Sequence, residues 1–142
     1  MSGAVRRATR DDIAAMADIV VAWEAETPWT PPAPDGEQIA AMFHKMFEAR
    51  EIWVAGDPVT GYLALDPEKS HITGLYMRAR GQGLGKALVD KAKEGRSVIT
   101  LNTHVANLDA QRFYVREGFV ALHEMAPAKE GDPQELRMEW RA

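Results

Sequence analysis

Arg80-Gly81-Gln82-Gly83-Leu84-Gly85-Lys86 is the stretch on which the fold of this chain turns. Before it, His71 to Met77 has the character of a strand. After it, Leu84, Ala87, Leu88 and Ala92 recur at helical spacing. Glycines at 81, 83 and 85 carry no β-carbon, so backbone N–H groups at the turn can approach an anion closely. The helix that follows brings unpaired amide donors and the positive end of its dipole. Arg80 and Lys86 add charge. The segment therefore predicts a phosphate cradle at a strand-to-helix turn. It lacks the Gly-Lys-Ser/Thr ending of a nucleotide triphosphatase loop. It also lacks Gly-x-Gly-x-x-Gly and the acidic residue of a dinucleotide fingerprint.

Working outward toward the N-terminus, Val5 to Thr9 reads as a short strand. Thr9, Asp11 and Asp12 suit a helix start, and Ile13, Met16, Ala17, Val20 and Trp23 follow on one face. Prolines 28, 31, 32 and 34 forbid a helix and predict a rigid loop there rather than a domain boundary. Asp35 can cap a second helix whose Ile39, Met42, Phe43, Met46 and Phe47 are read as core. Ile52 to Ala55 and Val59 to Leu65 read as strands joined through Gly56-Asp57-Pro58.

Toward the C-terminus, Gly95 can end the helix begun at Leu84 in the left-handed conformation. Ser97 to Thr103 alternates as a strand, and Asn107 can cap a helix through Arg116 that Gly118 terminates. Phe119 to Glu124 is a further strand. After Gly131-Asp132-Pro133, Leu136, Met138 and Trp140 alternate with Glu135, Arg137, Glu139 and Arg141, one face to the core and one to water. Tight turns between neighbours predict a mostly antiparallel sheet. The strands around 71–77 and 97–103 are joined through a helix and should be parallel neighbours. The expected class is mixed α/β: one sheet of about 6–7 strands with about four helices.

The 142 residues fit one domain spanning 1–142, large enough to fold without a metal or disulfide. Cysteine is absent, which excludes disulfides, thiolate metal sites and a cysteine nucleophile. The net charge is -4, and Arg6, Arg7 and Arg10 are interrupted and face no aromatic partners, so a solvated edge is expected and no nucleic-acid partner. Met1 to Thr9 lacks an apolar signal core, and no apolar run approaches the ~20 residues of a membrane span. A cytoplasmic protein without membrane partners is the expectation. His44, His71, His104 and His123 fall on different elements without ligand spacing, so no metal site is expected.

Arg80-x-x-Gly83-x-Gly85 resembles the Gln/Arg-x-x-Gly-x-Gly/Ala signature of the GNAT superfamily of acetyl-CoA-dependent N-acetyltransferases. Asn107-x-x-Ala110-x-x-Phe113-Tyr114-x-x-x-Gly118-Phe119 resembles a second element of that family, in the expected order. The motif similarity covers about residues 70–122. In one respect the chain departs from the family. Only Arg78 and Ala79 separate Met77 from Arg80, so either the strand runs on or the loop is tighter than usual.

The resemblance implies a single GNAT-like domain whose sheet contains one splayed parallel pair. It implies acetyl transfer from acetyl-CoA to a primary amine by direct attack. Leu75 and Tyr76 would lie along the pantetheine, and the Met77 amide would meet the thioester carbonyl. Arg80, Gly81, Gln82, Gly83, Leu84, Gly85 and Lys86 would hold the pyrophosphate. Asn107 would contact the pantetheine arm as well as cap its helix, and Phe113 would be cofactor wall or core. Tyr114 would be the general acid at sulfur. A phenol with an ordinary pKa of ~10 stays protonated at neutral pH and can donate, although Tyr114 could also simply pack as helix core.

The base is open between His104, whose titration range is suitable, and water-mediated deprotonation. The family resemblance places the acceptor near Trp23, Glu24, Glu26 and Trp29, whose aromatic walls and negative charge suit a cationic amine. Small-molecule and protein amines both remain open. So do a non-catalytic CoA-binding or sensor module of the same fold, and a homodimer paired through Leu136-Met138-Trp140.

Overall fold

Capping chemistry sets where two of the helices begin. The Asp35 carboxylate accepts from the Gln38 amide at 2.9 Å while the Gln38 side chain accepts from the Asp35 amide at 3.0 Å. The Asn107 side chain accepts from the Ala110 amide at 3.1 Å. In the computed structural model, which describes residues 5–27, 29, 35–78, 83–127 and 130–142, these caps open α2 (Gly36–Met46) and α4 (Leu108–Arg116). The remaining helices are α1 (Ile13–Ala25), preceded by a 3-10 turn, and α3 (Leu84–Lys93). The strands are β1 (Val5–Arg7), β2 (Glu51–Ala55), β3 (Gly61–Asp66), β4 (His71–Met77), β5 (Val98–His104), β6 (Val120–Met125) and β7 (Glu135–Arg141).

The strands form one sheet in the order β1-β2-β3-β4-β5-β7-β6. Every neighbouring pair is antiparallel except β4 and β5. That parallel pair is in register only at His71↔Thr100 and Ile72↔Leu101. Its lower end is pinned by a 2.7 Å contact between His71 Nδ1 and Thr100 Oγ1 and by the Thr100 amide donating to the Ser70 carbonyl. Above Ile72 no pairing continues among the described residues, so the two strands part and leave a gap.

Helices cover both faces of the sheet. On one side α3 and α4 seal a core of Leu63, Leu65, Leu88, Val89, Ile99, Leu101, Phe119 and Met138. On the other, α1 and α2 cover β2 to β4 through Met16, Ile19, Ile52, Val54 and Tyr62. Leu63 and Leu65 are fully buried, and truncating either to alanine would cost about 2–5 kcal/mol.

Some expected placements differ. Met42 was expected in the core but is 57% exposed, because α2 packs on α1 through Ile39 and on Tyr62 through Phe43, leaving Met42 beyond both. β3 begins at Gly61 rather than Val59, because the turn closes with the Thr60 amide donating to Ala55. On α3, Val89 is buried and Ala87 only half-buried. Arg7 and Arg10 do meet aromatic rings, Trp53 at 5.4 Å and Phe47 at 5.1 Å, supplied by segments far away in sequence. Among the described residues, no helix is long and apolar enough to cross a membrane.

Candidate active site

The β4–β5 gap opens on the α3/α4 side into a groove of roughly 570 Å³. Leu75, Tyr76 and Met77 line it from β4, and Gly83, Leu84, Gly85 and Lys86 from the start of α3. Asn107, Phe113 and Tyr114 line it from α4. These candidates, proposed from two separate motifs, thus share one cavity. Arg80, Gly81 and Gln82 lie outside the described residues.

β4 is an antiparallel partner of β3 up to its end, and the Arg78 amide donates to the Thr60 carbonyl at 2.7 Å. The pairing thus runs one residue past Met77. N–H directions alternate along such a ladder. With Arg78 pointing at β3, the Met77 amide points away from β3 into the gap. An acyl oxygen placed there would find a donor that the sheet does not use.

The start of α3 differs from the starts of α2 and α4. Its cap is Gly83, at φ 73°, and no side chain among the described residues caps it. The first amides of a helix have no intrahelical acceptor, so those of Leu84 to Lys86 are left for a ligand. A β-carbon on Gly83 would meet nothing within 4 Å, whereas one on Gly85 would lie 3.3 Å from Phe113 Cζ. Gly83 thus keeps the turn open and left-handed, and Gly85 lets α3 and Phe113 close together. An uncapped helix start with a bare backbone facing a groove fits a phosphate-bearing cofactor.

Lys86 lines the groove, but its ammonium pairs with Asp90 at 3.1 Å and Glu117 at 3.6 Å. The Asp90 hydrogen bond, followed by the Glu117 and Asp90 charges, raises its pKa. Arg112 and Arg116, which sequence reading did not select, also line the groove. Arg112 pairs with Asp109. The signal for them was the four-residue spacing that puts both on one helix face.

Tyr114 is buried against Phe113 and Phe119, at ring separations of 5.3 and 5.6 Å. Burial, with a smaller contribution from Tyr76, pushes its phenol well above the usual value. The phenol therefore stays protonated throughout the physiological range. It faces both the groove and a smaller cavity of roughly 100 Å³ that continues through the gap toward α1.

Trp23 and His104 line that smaller cavity, together with Asn102 and Asn107. Trp29 packs behind them, 4.9 Å from the His104 ring and 5.8 Å from Trp23. Trp23 reaches across to Tyr76 at 5.2 Å. Glu24 lies close enough to Tyr76 that its charge, after burial, raises the Tyr76 pKa. Glu26 is exposed at the end of α1 and lines neither cavity. Among the described residues, no group of three or more His, Cys, Asp or Glu could hold a metal ion.

An uncapped helix opposite a splayed parallel pair, with a buried tyrosine between them, defines a class of acyl-transfer folds. An acetyltransferase (GNAT) domain matches residues 48–121, just over half of the chain, and the chain belongs to that family. No curated protein matches it significantly.

Solved structures match along nearly the whole length. The Salmonella typhimurium protein yncA, solved with its cofactor acetyl-CoA, is 21% identical with a TM-score of 0.71, covering 96% of this chain and 92% of that one. A ribosomal-protein-alanine N-acetyltransferase from Brucella melitensis is 20% identical with a TM-score of 0.73, covering 97% and 99%. A spermidine N-acetyltransferase from Vibrio cholerae, solved as a point mutant, is 17% identical with a TM-score of 0.71, covering 96% and 94%. At these identities the likeness is one of fold.

Proposed function

We propose that this chain, as a single cytoplasmic domain, transfers an acetyl group from acetyl-CoA to a primary amine by direct attack. The observation that carries the reading is the junction at Tyr114, where the groove, the free Met77 amide and the smaller cavity meet. Acetyl-CoA supplies the acyl group as an activated thioester. The start of α3, from Gly83 to Lys86, would hold its pyrophosphate, with Arg80, Gly81 and Gln82 assigned there by sequence alone. Leu75, Tyr76, Asn107 and Phe113 would flank the pantetheine.

Each chemical demand has a residue to meet it. The Met77 amide would donate to the carbonyl oxygen as negative charge develops there. Tyr114 would protonate the departing sulfur, a role supported by its position where the groove and the smaller cavity meet. The absence of cysteine agrees with direct transfer and no thioester on the enzyme. The acceptor would enter from the side of Trp23 and Trp29.

Two measurements test this. Calorimetric titration with acetyl-CoA should give saturable binding, and free-thiol release over a panel of amines should identify at least one acetylated product. Binding without transfer to any amine would favour a CoA-binding or sensor module. No binding at millimolar acetyl-CoA would remove the proposal altogether.

A further inference from the structure

On the α1 side of the gap, side chains from three separate segments meet around one imidazole. His104 and Asn102 are two apart on β5 and share a face, and β7 places Glu135 opposite His104 and Arg137 opposite Asn102. The Glu135 carboxylate is held from two directions. One oxygen accepts from the Asn102 amide nitrogen at 3.3 Å, and the other lies 4.0 Å from His104 Nε2. The ring stacks on Trp23 at 6.4 Å and meets the edge of Trp29 at 4.9 Å. Nε2 is on the carboxylate side, so Nδ1 is the ring nitrogen assigned to the acceptor. A carboxylate beside an imidazole can orient the ring, as a general base requires.

A second observation lies beside the first. Asn102 Oδ1 is buried without a hydrogen-bond partner among the described residues, and Asn102 lines the same cavity as His104. A buried acceptor left unpaired is costly unless a ligand supplies the donor. Glu24 from α1 and Glu135 from β7 both act on Tyr76, which lines the cavity, and Arg137 stands opposite Asn102 on β7. Arg137 acts on His71 at the pinned end of the gap, lowering its pKa as a lesser cause after burial. Among the described residues, no lysine or arginine lines the cavity. At roughly 100 Å³ the space suits a narrow, donor-rich, cationic group.

Resting on the acetyl-transfer reading, we propose that His104, positioned by Glu135, takes the ammonium proton of the acceptor, and that this acceptor is a primary amine on an unbranched alkyl arm. The protons balance. The ammonium gives one proton to His104, which later releases it to water. The neutral nitrogen then bonds to the acetyl carbon as the carbon–sulfur bond breaks and Tyr114 protonates sulfur. The second proton lost by nitrogen restores the Tyr114 phenol. Ammonium and thioester thus become amide, thiol and one released proton. His104 is the catalytic residue here, Glu135 acts through it, and Asn102 holds Glu135 while offering Oδ1 to the acceptor.

The test uses n-propylamine and isopropylamine as acceptors with the full chain. His104→Ala is expected to lower kcat with n-propylamine by about 100-fold, with acetyl-CoA affinity unchanged and part of the rate restored by added imidazole. Isopropylamine should be at least about tenfold poorer in kcat/KM. Without cofactor, n-propylammonium should shift the indole N–H resonances of Trp23 and Trp29 and leave those of Trp53 and Trp140 in place. The indole measurement uses the unmodified chain and does not depend on any variant folding.

An unchanged kcat in His104→Ala, or loss without imidazole rescue, overturns the role of His104. Equal use of the two amines, no transfer to n-propylamine, or unmoved Trp23 and Trp29 resonances overturns the acceptor class. These outcomes leave the transferase reading standing if acetyl-CoA binds and another amine is acetylated. Failure of acetyl-CoA to bind removes that reading and this inference together.

Discussion

The two sides of the β4–β5 gap are built from different materials. The α3/α4 side is largely backbone: the Met77 amide released by the end of sheet pairing, and a helix start at Gly83 that no described side chain caps. The α1 side is largely side chain. Trp23 and Trp29 come from one end of the chain, Asn102 and His104 from its middle, and Glu135 from its last strand. A ligand held by backbone can be shared by many sequences of one fold. A ligand held by side chains is particular to one chain. The comparison teaches that the two sides of the gap can vary independently in sequence.

The sharpest way to break the separation is at Gly83. Its left-handed φ of 73° costs a side-chain-bearing residue about 1–2 kcal/mol, and the space beside it is open. Gly83→Glu should therefore fold while placing a carboxylate at the proposed pyrophosphate site. Like charges at that range cost about 4 kcal/mol, so acetyl-CoA affinity should drop about 1000-fold by calorimetry. Binding close to wild type would mean that the cofactor does not use this turn.

Trp29→Ala probes the other side. It removes one aromatic partner from both Trp23 and His104. The acceptor KM should rise about 5–10-fold, the equivalent of one or two aromatic contacts, with acetyl-CoA affinity unchanged. A matching loss of acetyl-CoA binding would show that the two sides are coupled after all.

The smallest effect concerns how α1, which carries Trp23, is anchored. Asp12 accepts two hydrogen bonds from Arg6 at 2.8 Å and one from the Thr9 amide at 2.8 Å. The Arg6 hydrogen bond, opposed by burial, holds its carboxyl below the usual range. Because the folded pKa is depressed, this stabilisation is complete above the unfolded value of ~4 and is lost as pH falls through the folded one. Asp12→Asn should cost about 1 kcal/mol at neutral pH. In urea titrations the variant and wild-type stabilities should converge in acid.

Legibility in the sequence followed the same division. The bounds of β4, the Asn107 cap and the left-handed Gly95 were readable because each is a local signal. The splayed parallel pair followed from connectivity and the family resemblance. Met42 misled because an apolar residue at helical spacing says nothing about how far its neighbours extend over it. Glu135 was invisible as a site residue. On its own strand it is one of several alternating charges, and only the β5–β7 register sets it opposite His104. Arg112 and Arg116 were passed over for a related reason, since a helix motif draws attention to its apolar face.

Tyr114 stands between the two sides, and the claim that it donates the proton to sulfur is the one on which the account most depends. The direct measurement is single-turnover acetyl transfer by Tyr114→Phe, with acetyl-CoA binding followed in parallel by calorimetry. The variant removes only the hydroxyl from a buried ring, so binding should stay at the wild-type value while the transfer rate falls about 100-fold. A transfer rate equal to wild type at saturating acceptor would contradict the account.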